Sequence, residues 1–375
     1  MRSLLLLIVV ATAVAGCGKD GESGTLGAGA RSASGYEAFA TANTTRINGA
    51  DPVQSAAAAA RAAFPRGADA VVLADTSQWQ TALAASVFLS GPLRAPTLLT
   101  RDGEIPQETR EALAFLDPQG AARANGAQII RIGSAPTPKG LKLIEVPAPD
   151  AFNGARSIDT LQAGAARQLS DHVIVTSTEE PEWAMPAASL AARSGAPILF
   201  TRKDKLPPQT AAALDAHGRP RILLIGNEEV VSEAAEQQLA DLGTVVRIGV
   251  SSPTRASIAI ARLKDPGFGW GIVDPGHGLV FTSGDSPLDA VAAAPLAVTG
   301  AHAPLLVTGD ADELSETLAL YLRSIRPGYR ADPARAVYNH GWLIGDTDAL
   351  SVQLQSRIDG LLAIRRIGDG AGGQR

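Results

Sequence analysis

The residues best placed to do chemistry are cations just past three copies of one phrase. The copies are Ala95-Pro96-Thr97-Leu98-Leu99-Thr100, Ala196-Pro197-Ile198-Leu199-Phe200-Thr201 and Ala303-Pro304-Leu305-Leu306-Val307-Thr308. Arg101 follows the first, and Arg202 and Lys203 follow the second. Gly309-Asp310 follows the third, with no cation. Such side chains, joined by backbone amides at a helix start, hold phosphate or carboxylate groups. The plainer alternative is a solvated surface charge, and Arg46 and Arg247 pose the same choice. Thr100, Thr201 and Thr308 close apolar runs, at the strand ends where open α/β sheets gather their ligands. The alternative for them is to cap the helix that follows.

The five histidines, His172, His217, His277, His302 and His340, have no pairwise spacing suited to a metal. Phosphate-loop and Gly-x-Ser-x-Gly signatures do not occur. Gly267-Phe268-Gly269-Trp270-Gly271 and Asp274-Pro275-Gly276-His277-Gly278 look like sites, but no strand-to-helix pattern surrounds the first, and a loop accounts for it. No catalytic residue, metal or cofactor is expected.

The elements that must position the cations recur with the phrase. A residue before proline is pushed to extended geometry, so Ala-Pro opens a strand. Three apolar residues without alternation suit a strand covered on both faces. Upstream of each copy lies an Ala-rich helical stretch. Downstream lies a polar helical stretch, and then an apolar run closing on Ile-Gly at Gly133, Gly226 and Gly345. The copies start at 95, 196 and 303, a spacing near a small domain and longer than a solenoid unit. A further strand recurs at the seams: Arg46-Ile47-Asn48-Gly49, Arg247-Ile248-Gly249 and Arg366-Ile367-Gly368, with Leu143-Ile144-Glu145-Val146 in the equivalent slot. The pattern predicts an α/β protein of three tandem Rossmann-like modules, each a mainly parallel sheet flanked by helices. The expected helices include 53–64, 79–90, 106–116, 160–169, 184–193, 208–216, 232–242, 255–263, 288–298, 313–324 and 350–358.

Composition fits that reading. Apolar residues make up 45% of the 375, enough for sizeable cores, but aromatics are only 4%, so Ala, Leu, Val and Ile must fill them. The net charge of -5 offers no broad basic field for nucleic acid. The start is a positive Met1-Arg2, a short apolar run from Leu4 to Ala15, and then Gly16-Cys17. This reads as a secretory signal over 1–16. A small residue before the chain's single cysteine resembles a bacterial lipobox, which implies lipid on Cys17. Several acyl chains on one residue would hold the protein on a membrane. Residues 17–41, rich in Gly, Ser and Ala, read as a flexible tether. The modules are then 42–147, 148–249 and 250–368, with a disordered tail at 369–375.

Arg46-Ile47-Asn48-Gly49-Ala50-Asp51 before an Ala-rich helix resembles the opening of the cell wall-binding repeat type 2 family. So do Val71-Val72-Leu73-Ala74, Ala82-Leu83-Ala84-Ala85, the Ala-Pro strand and the Ile-Gly strand, in that order. The resemblance spans about residues 44–368 and is best in the first module. Thr81 and Ala184 stand where the family carries an Asp that Asp289 keeps. Module 2 lacks the opening Arg-Ile-x-Gly. The resemblance implies three α/β modules in a pseudo-threefold arrangement that bind anionic cell-wall polymers without catalysis. The polymer contacts then fall to Arg46, Thr100, Arg101, Thr201, Arg202, Lys203, Arg247 and Thr308. The protein would be lipid-anchored through Cys17, with palmitate as the expected lipid, on the outer face of the bacterial membrane. A solute-binding lipoprotein, which predicts two lobes around a cleft, and an interaction scaffold are the alternatives.

Overall fold

The computed structural model describes residues 38–367. The signal segment, Cys17, most of the 17–41 stretch, Gly368 and the tail lie outside the described residues.

Two strands open the described chain, β1 (Ala38–Ala40) and β2 (Thr44–Ile47). The first unit follows with α1 (Pro52–Ala63), β3 (Val71–Asp75), α2 (Trp79–Ala84), β4 (Thr97–Thr100), α3 (Gln107–Leu116), β5 (Ile129–Ile132) and β6 (Leu143–Val146). The second unit holds α4 (Ala151–Ala166), β7 (His172–Ser177), α5 (Pro181–Ser194), β8 (Ile198–Thr201), α6 (Pro208–Ala216), β9 (Arg221–Ile225), α7 (Glu233–Leu242) and β10 (Thr244–Ile248). The third holds α8 (Pro253–Arg262), β11 (Gly278–Thr282), α9 (Asp289–Ala293), β12 (Leu305–Val307), α10 (Glu316–Ser324), β13 (Gly328–Tyr329), β14 (His340–Ile344), α11 (Val352–Leu362) and β15 (Arg365–Arg366).

Three sheets carry the fold, in the orders β4-β3-β5-β6, β8-β7-β9-β10 and β12-β11-β14-β2-β1. Every pairing in them is parallel except that of β1 on β2. The α/β class with parallel sheets flanked by helices is as the sequence predicts. Each repeated phrase forms a strand of an outer pair, its residues buried as the unbroken apolar run requires.

Several readings are corrected. Residues 44–47, expected to open the first module, sit in the third sheet beside β14, with Arg46 opposite Leu343 and Ile47 opposite Ile344. That is the slot filled by β6 and β10 in the other sheets. The run from Leu362, expected to close the third module, supplies only β15, which pairs with β13 in a separate two-stranded ladder. Arg365 and Arg366 are exposed, and charged side chains do not enter a buried slot without partners. Residues 38–40, expected as tether, are a strand. The helix expected over 160–169 begins at Ala151, because Asp150 caps it by accepting from the Phe152 and Asn153 amides. The helices expected over 79–90 and 288–298 tighten into 3-10 turns at Ala85–Leu89 and Ala294–Ala297.

The units pack in a cycle: α2 on α4, α5 on α8, and α9 back on α1. At the centre α5 touches both 3-10 turns, which also touch each other. Alanine makes this approach possible. Ala82, Ala84, Ala85, Ala184, Ala187, Ala188, Ala191, Ala292, Ala293 and Ala294 are fully buried there. One apolar core runs through all three units, and a second, smaller one lies in the first unit under α1 and α3. The units thus share an interior and do not stand as separate domains. The Gly-Phe-Gly-Trp-Gly stretch fastens the third unit to the second. Phe268 stacks on His172 at 4.4 Å, and Arg193 lies 4.6 Å over the Trp270 ring. Gly269 admits no side chain, since a Cβ there would sit 2.2 Å from the Leu263 carbonyl oxygen.

Candidate functional site

The carboxyl ends of the first sheet's strands form a shallow polar cavity of about 490 Å³, lined by Asp75, Thr76, Ser77, Arg101, Asp102, Gly103 and Ser134. Its floor is braced. Asp75 accepts from the Ser77 amide at 3.0 Å, the Ser77 hydroxyl at 2.6 Å and the Thr100 hydroxyl at 3.2 Å. Asp102 and Gly103 take left-handed φ values of 55° and 73°, turning the chain back so that Arg101 bridges Glu104. The Arg101 side chain is 46% exposed and pairs with Asp51 at 3.1 Å. An exposed pair of this kind exchanges easily for another anion.

The equivalent end of the second sheet carries Arg202, exposed and lying 5.2 Å over the Phe152 ring, and Lys203, also exposed. The third has Asp310 there, whose carboxylate is held below its ordinary range by the Asp312 and Glu313 amides. The three sequence-predicted threonines are buried and turned inward. Thr201 donates to the Arg202 or Lys205 carbonyl at 3.1 and 3.3 Å, and Thr308 to Thr282 or Asp310 at 3.2 and 2.8 Å. Thr100 ties its strand to β3, the other two tie strand to loop, and none caps the helix after it. Arg101, Arg202 and Lys203 are the exposed cations at these strand ends.

Arg46 and Arg247 belong to a different structure. Arg46 is 1% exposed, and all five of its N–H donors are used. Nε donates to Gln355 at 3.1 Å, Nη1 to the Gly345 and Asp346 carbonyls, and Nη2 to the Leu350 and Ser351 carbonyls. Burial pulls its pKa down to about 10 against the attraction of Asp346, so it stays charged at neutral pH. Arg247 repeats the pattern, donating to the Gly226 and Val231 carbonyls and twice to Glu236. These two are corrected from ligand contacts to braces. The sequence reading missed the third member. Arg131, on β5, donates to the Gly133 and Ala135 carbonyls and pairs with Glu145 at 2.6 Å. The Ile-Gly ending explains all three: each glycine turns at positive φ, and its carbonyl needs a donor.

Two buried titrating groups lie away from the strand ends. Asp289 in α9 is 7% exposed. Burial, and then Asp285, Asp346 and Asp51, push its carboxyl up to about 7. His217 donates from Nδ1 to the Ser170 carbonyl and from Nε2 to Asp159 at 3.0 Å. Both partners are acceptors, which favours the doubly protonated ring. Burial opposes that charge, but Asp159 and the carbonyl outweigh it and raise the pKa. Among the described residues no group of three or more His, Cys, Asp or Glu side chains is placed to hold a metal, and no helix is long and apolar enough to cross a membrane.

Comparison with known proteins agrees with the resemblance read from the sequence. Residues 151–236 match the family model for cell wall binding domain 2. That match lies in the middle unit, whereas the sequence reading found the resemblance best in the first. The chain is 28% identical over 207 residues to the amidase enhancer of Bacillus subtilis (strain 168), covering 55% of this chain and 27% of that protein. Its fold is similar to that of Cwp6 from Clostridium difficile, with a TM-score of 0.71 at 18% identity over 86% of this chain and 48% of that one. Cwp8 from Clostridium difficile gives 0.65 at 19%, over 86% and 52%. The chain thus spans about a quarter of the curated relative and about half of each solved chain. The similarity to the cell wall binding domain 2 family is thus carried by the segment 151–236.

Proposed function

We propose that the protein is a non-enzymatic, extracytoplasmic envelope protein that holds an anionic cell-wall polymer at the carboxyl ends of its first two sheets. The observation that carries this reading is the family match over 151–236, which contains the loop bearing Arg202 and Lys203. Arg101 supports it from the first unit: it is exposed, and its partner Asp51 is one that a phosphate or carboxylate of the polymer replaces at little cost. The third unit, with Asp310 and no cation, contributes least. The amidase enhancer of Bacillus subtilis also fits a binding or regulatory role over a catalytic one. Lipid on Cys17 would keep the domain at the outer face of the membrane.

Purified cell wall, washed at low and high salt, tests the binding. Retention at low salt, lost at high salt and reduced in an Arg101→Ala, Arg202→Ala, Lys203→Ala variant, is the expected result. Retention no better than that of an unrelated lipoprotein rejects it. Anchoring has its own test: palmitate labelling should disappear in Cys17→Ala.

A further inference from the structure

The seam strands β2, β6 and β10 are equivalent in place, but among the described residues only β2 has a neighbouring strand on its outer side. Gly345 donates to the Ile47 carbonyl, and Gly341 to that of Asn43, so the odd residues of β2 face β14. The even ones, Thr44 and Arg46, face outward and pair with β1, with Phe39 opposite Arg46. The same arithmetic holds in the first unit. Gly133 donates to the Val146 carbonyl and Ile129 to that of Lys142, so residues 142, 144 and 146 face β5. Leu143 and Glu145 therefore point their N–H and C=O groups off the sheet. No hydrogen bond reaches them from the described residues. Such an edge is a template for another strand.

A groove of about 650 Å³ runs along this edge, between Ile144 to Pro147 on one side and the α4 face from Asn153 to Ala165 on the other. Its charged groups are Arg123, Arg156 and Glu145, and Glu145 is already paired with Arg131. The uncompensated charge is positive. We propose that β6 accepts an extended acidic segment of a partner protein as an added antiparallel strand, bonded to Leu143 and Glu145 as β1 is to Thr44 and Arg46. The main chain supplies affinity in this mode, and Arg123 and Arg156 select carboxylate side chains.

The probe is a fluorescein-labelled seven-residue peptide, Thr-Glu-Val-Glu-Val-Glu-Thr, titrated by anisotropy against the full folded chain. Its Lys-for-Glu counterpart and a version N-methylated at alternate residues are the controls. Binding should fall at least tenfold with N-methylation, which leaves the protein untouched. It should fall similarly in Glu145→Pro, which removes one outward N–H without taking a bond from the sheet, and persist in Glu145→Ala. Arg123→Ala with Arg156→Ala should weaken it severalfold. Failure of the acidic peptide to bind, or binding indifferent to N-methylation, overturns the proposal. So does displacement by poly(glycerol phosphate) that needs the two arginines but ignores Glu145→Pro, because the groove would then be a polyanion site.

Discussion

The first and third seams solve one problem in two ways. Both must satisfy the carbonyl of a glycine that turns the chain after an apolar strand. The third does it in the dry: Arg46 sits under α11, and Gln355 of that helix bridges it to the Thr44 hydroxyl. The first has no helix between β5 and β6. Its arginine moves one strand inward to position 131, its acid moves to the seam strand as Glu145, and both stay open to water, with side chains 21% and 61% exposed. The second seam is intermediate, with Arg247 held by Glu236 of α7. The lesson is that a covering helix turns a replaceable surface pair into a buried brace.

The sharpest way to break this comparison is truncation at the braces. Arg46→Ala leaves five acceptor contacts unmet, three of them buried, and should cost about 3–5 kcal/mol in chemical unfolding. Arg247→Ala should cost about 1–2 kcal/mol. Arg131→Ala, where water replaces the guanidinium, should cost less than about 1 kcal/mol. Equal losses at 46 and 131 would dissolve the distinction.

A pH series sharpens it further, because Asp289 lies near Asp51 and Asp346 at the same third seam. Its folded pKa is raised above the unfolded value, so the native state binds more protons between them. Stability therefore falls as pH rises from about 4 to about 7, by on the order of 4 kcal/mol. Asp289→Asn should flatten that slope in thermal unfolding. His217 works in a higher window. Its stabilisation is complete below 6.5 and is lost as pH rises through its raised folded value, a step that His217→Gln should abolish. The smallest stability effect belongs to Arg101→Ala, within about 0.5 kcal/mol, while wall retention drops.

How much of this was legible follows from what a linear pattern encodes. The three strand phrases, the Ile-Gly endings and helices such as Pro208–Ala216 were readable, because apolar runs and proline act locally. The cations at the strand ends were readable for the same reason. The placement of β2 was not, since parallel pairing carries no local signal and the partner lies some three hundred residues away. Arg46 was misassigned for that reason: the five acceptors that consume it come from Gly345 to Gln355. Arg131 was missed because the reading sought an arginine on the seam strand, whereas register puts its equivalent beside that strand. Its signal was there in the Arg-Ile-Gly ending of the preceding run. The start of α4 was hidden by Gly154 and by the polar first turn after Asp150.

The borrowing of β2 by the third sheet has a consequence for how the molecule is made. A ribosome delivers residues 44–47 well before 340–344, so the side of this strand that pairs with β14 must wait through the synthesis of the roughly three hundred residues between them. Closing a loop of that span is a late and entropically costly event. Sheets one and two can assemble from contiguous chain, but the third closes only when residues 340–344 find residues 44–47.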